Sequence, residues 1–322
     1  MQLVLPTQEE IETARGLIEG IAIRTPLIPL FEGDAPIYLK VENLQRFGSF
    51  KIRAATNAIK SLPVESLQDG VVTASAGNFG QGLASAAAFL GVKCTVYVPE
   101  TAAKTKIESM SALGAQIHVV PFEDWWRILS RRETNAKGVF IHPVADPTVI
   151  AGNGTIGSEI LDDLPDVETV FLPVGGGGLA SGVGAAIRAV NPKVKIFAAE
   201  SEASMPVTAA FKAGEPVEVE HRPSFIDGMG GRSVLAEMWP LLQTVLDGAV
   251  EVSLPEVANA VRILFQKHHL IAEGAGAAPV AAALKQPKST GKTVCVISGG
   301  NLDPAVLCEI VRGIGPGSSD TA

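Results

Sequence analysis

Four short segments carry the residue types best suited to chemistry. Three are glycine-rich turns: Ser75-Ala76-Gly77-Asn78-Phe79-Gly80, Gly175-Gly176-Gly177-Gly178 and Ser298-Gly299-Gly300-Asn301. Each follows a short apolar run and precedes a helical pattern, the place where open α/β sheets hold ligands. Four successive residues without Cβ let backbone N–H groups converge on an anion, and the positive end of the following helix adds to the attraction. A phosphate is the natural guest of Gly175–Gly178. The Ser75–Gly80 turn reads in two ways. It is either a second anion nest, holding a carboxylate with the help of the Asn78 amide, or a Ser/Asn cap that only starts a helix.

The fourth segment is Gly48-Ser49-Phe50-Lys51. A lone lysine is ordinarily solvated. Lys51 instead follows an apolar run and opens a helical one, where the helix dipole disfavours a cation. Destabilising the ammonium favours the neutral amine that attacks carbonyls. Phe50 beside it offers a flat apolar face. Two other phosphate motifs compete for attention. Gly291-Lys292-Thr293 ends like a P-loop, but Gln286 stands where the motif needs its first glycine. Gly175-x-Gly177-x-x-Ala180, with Glu200 at the next strand end, is close to a dinucleotide fingerprint.

Elements able to position these turns are legible in the periodicity. Strands are expected at 36–43, 70–75, 93–98, 115–120, 138–142, 169–174, 195–200 and 293–298, several of them apolar throughout, as in parallel strands covered on both faces. Helices are expected at 50–61, 79–90, 101–113, 148–163, 179–190, 231–246, 255–268 and 304–312. Capping boxes at Thr7-x-x-Glu10 and Ser253-x-x-Glu256 mark two helix starts. Phe122, Trp125 and Trp126 are expected to pack a further helix on a sheet. The alternation specifies an α/β, doubly wound chain. The segment 45–145 holds a full β-α-β-α-β series and could close on itself.

The 322 residues carry 26 Lys and Arg against 34 Asp and Glu, a formal charge of −8. That sign argues against a partner held by nucleic-acid phosphates. Hydrophobic residues at 47% exclude disorder of the chain as a whole. Only the stretch from about Gly313 to Ala322 looks disordered. Cys94, Cys295 and Cys308 are too few and scattered for a disulfide framework, and none has metal-ligand spacing. Cys94 and Cys295 read as buried small hydrophobes, and His268-His269 as a surface pair at a helix end. MQLVLPTQEE lacks a basic signal-peptide start, and no window approaches ~20 unbroken apolar residues. A cytoplasmic protein with no membrane partner is expected.

Taken together and in order, these segments resemble the fold-type-II pyridoxal-phosphate enzymes, and within them the threonine/serine dehydratases (ammonia-lyases) and their serine racemase relatives. The matching stretches are Gly48-Ser49-Phe50-Lys51-Ile52-Arg53, Thr73-Ala74-Ser75-Ala76-Gly77-Asn78, the turn within Pro173–Leu179 and Ser298-Gly299-Gly300-Asn301. The resemblance implies two open, twisted, mostly parallel sheet domains with helices on both faces, as in tryptophan synthase β. Residues 1–44 and 146–322 would form a large cofactor domain and 45–145 a small inserted one. Lys51 would hold pyridoxal 5'-phosphate as a Schiff base. Gly175, Gly176, Gly177 and Gly178 would bind its phosphate, Phe50 would pack on its ring, Asn78 would meet its phenolic oxygen and Ser298 its pyridine nitrogen. Ser75, Ala76, Gly77 and Asn78 would hold the substrate carboxylate. The implied reaction is loss of water from a β-hydroxy amino acid, L-threonine or L-serine, to a 2-oxo acid and ammonia, with Lys51 as the base at Cα.

Departures from the family pattern sharpen the expectation. Ala76 replaces the serine that racemases carry, which favours dehydration. Phe79 stands where the family often has His. Glu200 matches a first cation ligand, but Pro206 occupies the second, so no metal is expected and Glu200 reads as a surface strand-end residue. Glu273-Gly274-Ala275-Gly276 resembles a family loop near the cofactor. No regulatory domain, and hence no feedback through one, is expected after Asn301. The implied assembly is a homodimer or homotetramer. Racemisation and 3-hydroxyaspartate dehydration remain as alternatives, followed by a nucleotide-dependent oxidoreductase and a non-catalytic binding protein.

Overall fold

Strands of two to seven residues alternate with helices and sort into two sheets. In the computed structural model, residues 3–286 and 291–313 are described. The chain opens with α1 (Gln8–Ile18), β1 (Leu27–Pro29) and β2 (Ile37–Lys40). Next come α2 (Lys51–Lys60), β3 (Val71–Ala74), α3 (Asn78–Leu90) and β4 (Cys94–Pro99). They are followed by α4 (Lys104–Ala112), β5 (Gln116–Val120), α5 (Phe122–Arg131) and β6 (Val139–Phe140). The second half holds α6 (Pro147–Asp163), β7 (Thr169–Pro173), α7 (Gly178–Val190), β8 (Lys195–Ser201) and α8 (Pro206–Ala213). It closes with α9 (Trp239–Val245), β9 (Gly248–Val252), α10 (Leu254–His268), α11 (Gly274–Lys285), β10 (Thr293–Val296) and α12 (Pro304–Arg312).

The larger sheet has six strands in the order β1-β2-β10-β7-β8-β9, the smaller four in the order β5-β4-β3-β6. Among the described strands, β1 alone runs antiparallel to its neighbour. In β10, Val294 pairs with Tyr38 on one side and Val170 on the other. Successive residues of this strand feed opposite cores. Val294 and Val296 pack with Ile156, Val183 and Leu242 on one face. Cys295 and Ile297 pack with Val257, Ala278 and Ile310 on the other. A strand buried on both faces needs apolar residues at every position, which is why its sequence does not alternate. The small sheet repeats this arrangement. Val71 and Val96 face Ile52, Leu83 and Met110, while Val72 and Tyr97 face Ile128. The expected α/β architecture of two mostly parallel sheets is present.

Several expectations need correction. The helix read over 231–246 forms only from Trp239, because Pro240 fits the first turn of a helix and not its interior. Strands β1 and β9 were not expected. Both are edge strands, and β1 ends in a proline that only an edge tolerates. Helices α8 and α11 were also missed. Residues Gly274–Ala283 of α11 are buried on every side and include Pro279, so no amphipathic stripe marks the helix. The motif Glu273–Gly276 is thus a helix start rather than a loop. On α5, Trp125 packs against the small sheet, whereas Phe122 and Trp126 are 51% and 47% exposed. Both capping boxes form. The stretch 314–322, read as disordered, lies outside the described residues.

Candidate active site

Lys51 begins α2, and its approach is pinned to the end of β10. The Phe50 N–H donates to the Ser298 carbonyl at 3.1 Å and the Gly300 N–H to the Gly48 carbonyl at 2.8 Å. Asn301 closes the join: its Nδ2 donates to the Phe47 carbonyl and to Asn78 Oδ1, both at 2.9 Å. One side chain thereby fixes the lysine turn, the α3 turn and the β10 turn together. On the other side of α2, a Cβ at Gly82 would fall 3.0 Å from the Lys51 carbonyl carbon, so only glycine lets α3 lie this close.

These segments enclose a cavity of about 210 Å³. Phe50, Lys51, Ser75, Gly77, Asn78 and Ser298 line one part of it, and Gly175, Gly176, Gly177 and Gly178 another. Ala76 belongs to the same turn but is not part of the lining. A roomier hollow of about 660 Å³ lies by Asp69, Lys93, Tyr97 and His118, near the strand starts of the small sheet, and contains none of the glycine turns.

The tetraglycine turn joins β7 to α7. The N–H groups of Gly178, Leu179 and Ala180 precede the helix's own bonds, the first of which runs from the Ser181 N–H to the Gly177 carbonyl. Gly177 has φ +95, and a Cβ on Gly176 would come 2.6 Å from Val144 Cγ2. The floor of this cradle is set by His142, whose Nδ1 accepts from the Val144 and Ala145 N–H groups at 3.1 and 2.7 Å. Burial, with the charges of Arg132 and Lys51, pushes His142 down to about 3, so it stays a neutral acceptor. At the first turn, Ser75 Oγ accepts from the Gly80 N–H at 3.0 Å. Ser75 therefore supports the start of α3, as the capping reading expects, and it also lines the cavity.

Lys51 opens onto the cavity, with Nζ 4.7 Å from the Phe50 ring centroid. Loss of water around it pushes its ammonium down to about 8, against the pull of Glu273. Glu273 is 3% exposed and stands at the N-cap position of α11, with its carboxylate free of capping bonds. Its Oε1 accepts from Asn78 Nδ2 at 2.8 Å, while its Oε2 has no hydrogen-bond partner among the described residues. Burial first, then the charge of Asp227, raise its carboxyl to about 7, opposed by Lys106, Asn78 and Lys51. Lys106 and Asp227 line the same cavity, and no sequence signal marked either.

Behind the lysine, Arg53 is fully buried between two carboxylates. Its Nε meets Glu42 Oε2 at 2.8 Å and its Nη1 meets Glu159 Oε1 at 2.7 Å. Lys40 Nζ also reaches Glu159 Oε2, at 2.5 Å. The network ties α2 to β2 and α6 and balances two positive charges with two negative ones.

Glu200 is not the surface residue expected. It is fully buried, and its carboxylate accepts from the Val207 N–H at 2.7 Å, the Thr208 N–H at 2.8 Å and Thr208 Oγ1 at 2.7 Å. It caps α8. Committed there, it cannot hold a ribose hydroxyl, and the dinucleotide reading of Gly175-x-Gly177-x-x-Ala180 loses its acidic partner.

Comparison with known proteins agrees with this geometry. The family described as pyridoxal-phosphate dependent enzyme matches residues 18–300. An L-threonine ammonia-lyase of Thermotoga maritima is 41% identical over 313 residues, 95% of this chain and 78% of the relative. The L-threonine dehydratase catabolic TdcB of Escherichia coli strain K12 is 38% identical over 280 residues, 85% of each chain. Maize serine racemase has a similar structure, with a TM-score of 0.88 at 28% identity, covering 96% of this chain and 98% of the other. A match across most of the length, on a fold with the same two sheets, shows that the chain belongs to the pyridoxal-phosphate dependent enzymes.

Proposed function

We propose that this enzyme removes water from a β-hydroxy amino acid, L-threonine or L-serine, releasing a 2-oxo acid and ammonia. The observation that carries the proposal is the meeting of Lys51, the tetraglycine cradle and the Ser75–Asn78 turn in one cavity. The sequence relatives named for threonine support the substrate class.

The lining suits pyridoxal phosphate. The turn at Gly176 and Gly177 has room only while no Cβ is present, and unpaired helix N–H groups favour a phosphate dianion. The orphaned Oε2 of Glu273 offers an acceptor close to Asn78. When bound, the group supplies an aldehyde that captures amines and a ring that accepts the electron pair left at Cα.

The roles of this chain's residues follow from chemistry and position. Gly175–Gly178 would hold the phosphate, Phe50 would flank the ring and Ser298 would offer a hydroxyl, not a carboxylate, to the ring nitrogen. A hydroxyl at that place would not force the nitrogen to stay protonated, a milder setting that would suit loss of a β-leaving group. The N–H groups of the Ser75–Asn78 turn and the start of α3 hold the substrate carboxylate. Lys51, as a neutral amine, takes the Cα proton. Asn78 and Glu273 fix one another beside it. No proton can be exchanged by the methyl of Ala76, which weighs against racemisation. We also propose that 45–145 acts as a small unit inserted between 1–44 and 146–322, with the cavity between them. No helix among the described residues is long and apolar enough to cross a membrane. A cytoplasmic homodimer or homotetramer is the form proposed from the family resemblance.

The direct test is 2-oxo acid release from both isomers of threonine, serine and 3-hydroxyaspartate. L-threonine or L-serine is expected to lead. Release from neither, with racemisation instead, would replace the proposal. A second expectation concerns pH. With Lys51 near 8, the neutral fraction rises about fivefold from pH 7 to pH 8, because only the free amine is nucleophilic. Capture of added pyridoxal phosphate by the free protein, followed by absorbance, should accelerate by that factor and level off above pH 9. A flat profile would contradict a depressed Lys51.

A further inference from the structure

The cavity has a charged end that neither the cofactor cradle nor the carboxylate turn uses. Lys106 on α4 places Nζ 2.7 Å from Asp227 Oδ2, which lies on the irregular segment between α8 and α9. The Lys106 side chain is 18% exposed and that of Asp227 59%. The pair joins a helix of the small sheet to a loop beside the large one. It sits next to the carboxylate turn. A Cβ on Gly228 would fall 3.2 Å from Glu273 Oε1, and that oxygen is bonded to Asn78. With Lys51 and Glu273 assigned to the reacting end, Lys106 and Asp227 are the charged residues of the lining left for the substrate side chain.

We propose that the Lys106–Asp227 ion pair determines specificity at this end of the cavity, admitting uncharged β-hydroxy side chains and rejecting those with a second carboxylate. The proposal rests on the ammonia-lyase reading for the orientation of the substrate. Its physical basis is like-charge repulsion. A neutral hydroxyl can accept from a spare Lys106 proton without disturbing the pair. An incoming carboxylate can reach the same spare proton, but it is then held beside two acidic side chains, Asp227 and Glu273, in a partly desolvated space. Like charges brought together at a binding surface act as a rejection device. Removing the charge of Asp227 should turn the same lysine into a carboxylate receptor.

The test uses the holoenzyme and two amino acids without a β-leaving group, L-2-aminobutyrate and L-aspartate, with binding read by titration calorimetry. The wild type is expected to prefer L-2-aminobutyrate at least tenfold. Asp227→Asn should shift the ratio of dissociation constants at least tenfold toward L-aspartate, and adding Lys106→Gln should erase that gain. Lys106→Gln alone, which leaves Asp227 uncovered, should move the ratio further from L-aspartate and serves if Asp227→Asn does not fold. A ratio unchanged within twofold in the folded variants, or a wild type that prefers L-aspartate, overturns the proposal. Turnover does not enter this readout. Failure of the ammonia-lyase reading would show separately, as no 2-oxo acid from threonine or serine.

Discussion

Lys51→Ala should lose at least ~10⁴-fold in kcat/KM for 2-oxo acid release, because covalent capture and the proton transfer at Cα disappear together and the latter alone contributes ~10²–10⁴. The loss should be specific to chemistry. Lys51 is the first residue of α2, and alanine is a good helix former, so the backbone joins of Phe50 to Ser298 and Gly48 to Gly300 remain. The melting temperature should therefore stay within a few degrees, while the visible band given by pyridoxal phosphate on the wild type is not formed. Lys106 is the other lysine on the lining. It cannot substitute, since Asp227 engages its Nζ at 2.7 Å. A folded Lys51→Ala enzyme keeping more than a few per cent of wild-type activity would remove Lys51 from the mechanism.

The second large effect is on stability. Arg53→Met should destabilise the fold by about 3–5 kcal/mol, since removing one partner of a buried pair leaves charges uncompensated. Here two carboxylates lose a partner and one negative charge is left uncompensated. Glu42 is fully buried and would keep only Thr25 and Gln45, and Glu159 would keep Lys40. Thermal unfolding is expected to fall by on the order of 10 °C. Adding Glu42→Gln alone to Arg53→Met should recover part of the loss, because the uncompensated charge goes with it while Glu159 keeps Lys40. The site should feel the change too, as Arg53 lies two residues from Lys51 and fixes the start of α2 against β2 and α6. Weaker pyridoxal phosphate retention in the single variant is expected. An Arg53→Met protein as stable as wild type would mean that water or rearrangement satisfies both carboxylates.

The parts of the fold that the sequence disclosed are those whose burial imposes a pattern. Strands β3 and β10 are covered on both faces, so every position is apolar or small and the runs stand out. The glycine turns are legible because close backbone approach leaves one residue type, as at Gly176 under Val144. Helix α11 is hidden for the opposite reason. It is buried all round and built of Ala, Gly and Pro, with neither stripe nor propensity to mark it. The edge strands β1 and β9 carry Pro29 and Gly248, residues that strands usually avoid.

The site shows a similar division. Lys51, Asn78 and Ser298 belong to segments whose type and order carry information. Asp227 and Lys106 lie 121 positions apart and meet only through tertiary packing. Glu273 gave a partial signal from its motif, but its state depends on burial and on charges from three other segments. Glu200 illustrates the reverse error. A carboxylate at a strand end looked exposed, yet the unpaired N–H groups of α8 draw it inward as a cap.

The most direct measurement is chemical. The protein loaded with pyridoxal phosphate is reduced with borohydride, digested and mapped by mass spectrometry. The phosphopyridoxyl group is expected on the peptide containing Lys51, with loss of the visible band in the same step. Its appearance on Lys106 or any other lysine, or a band that survives reduction, would contradict the account.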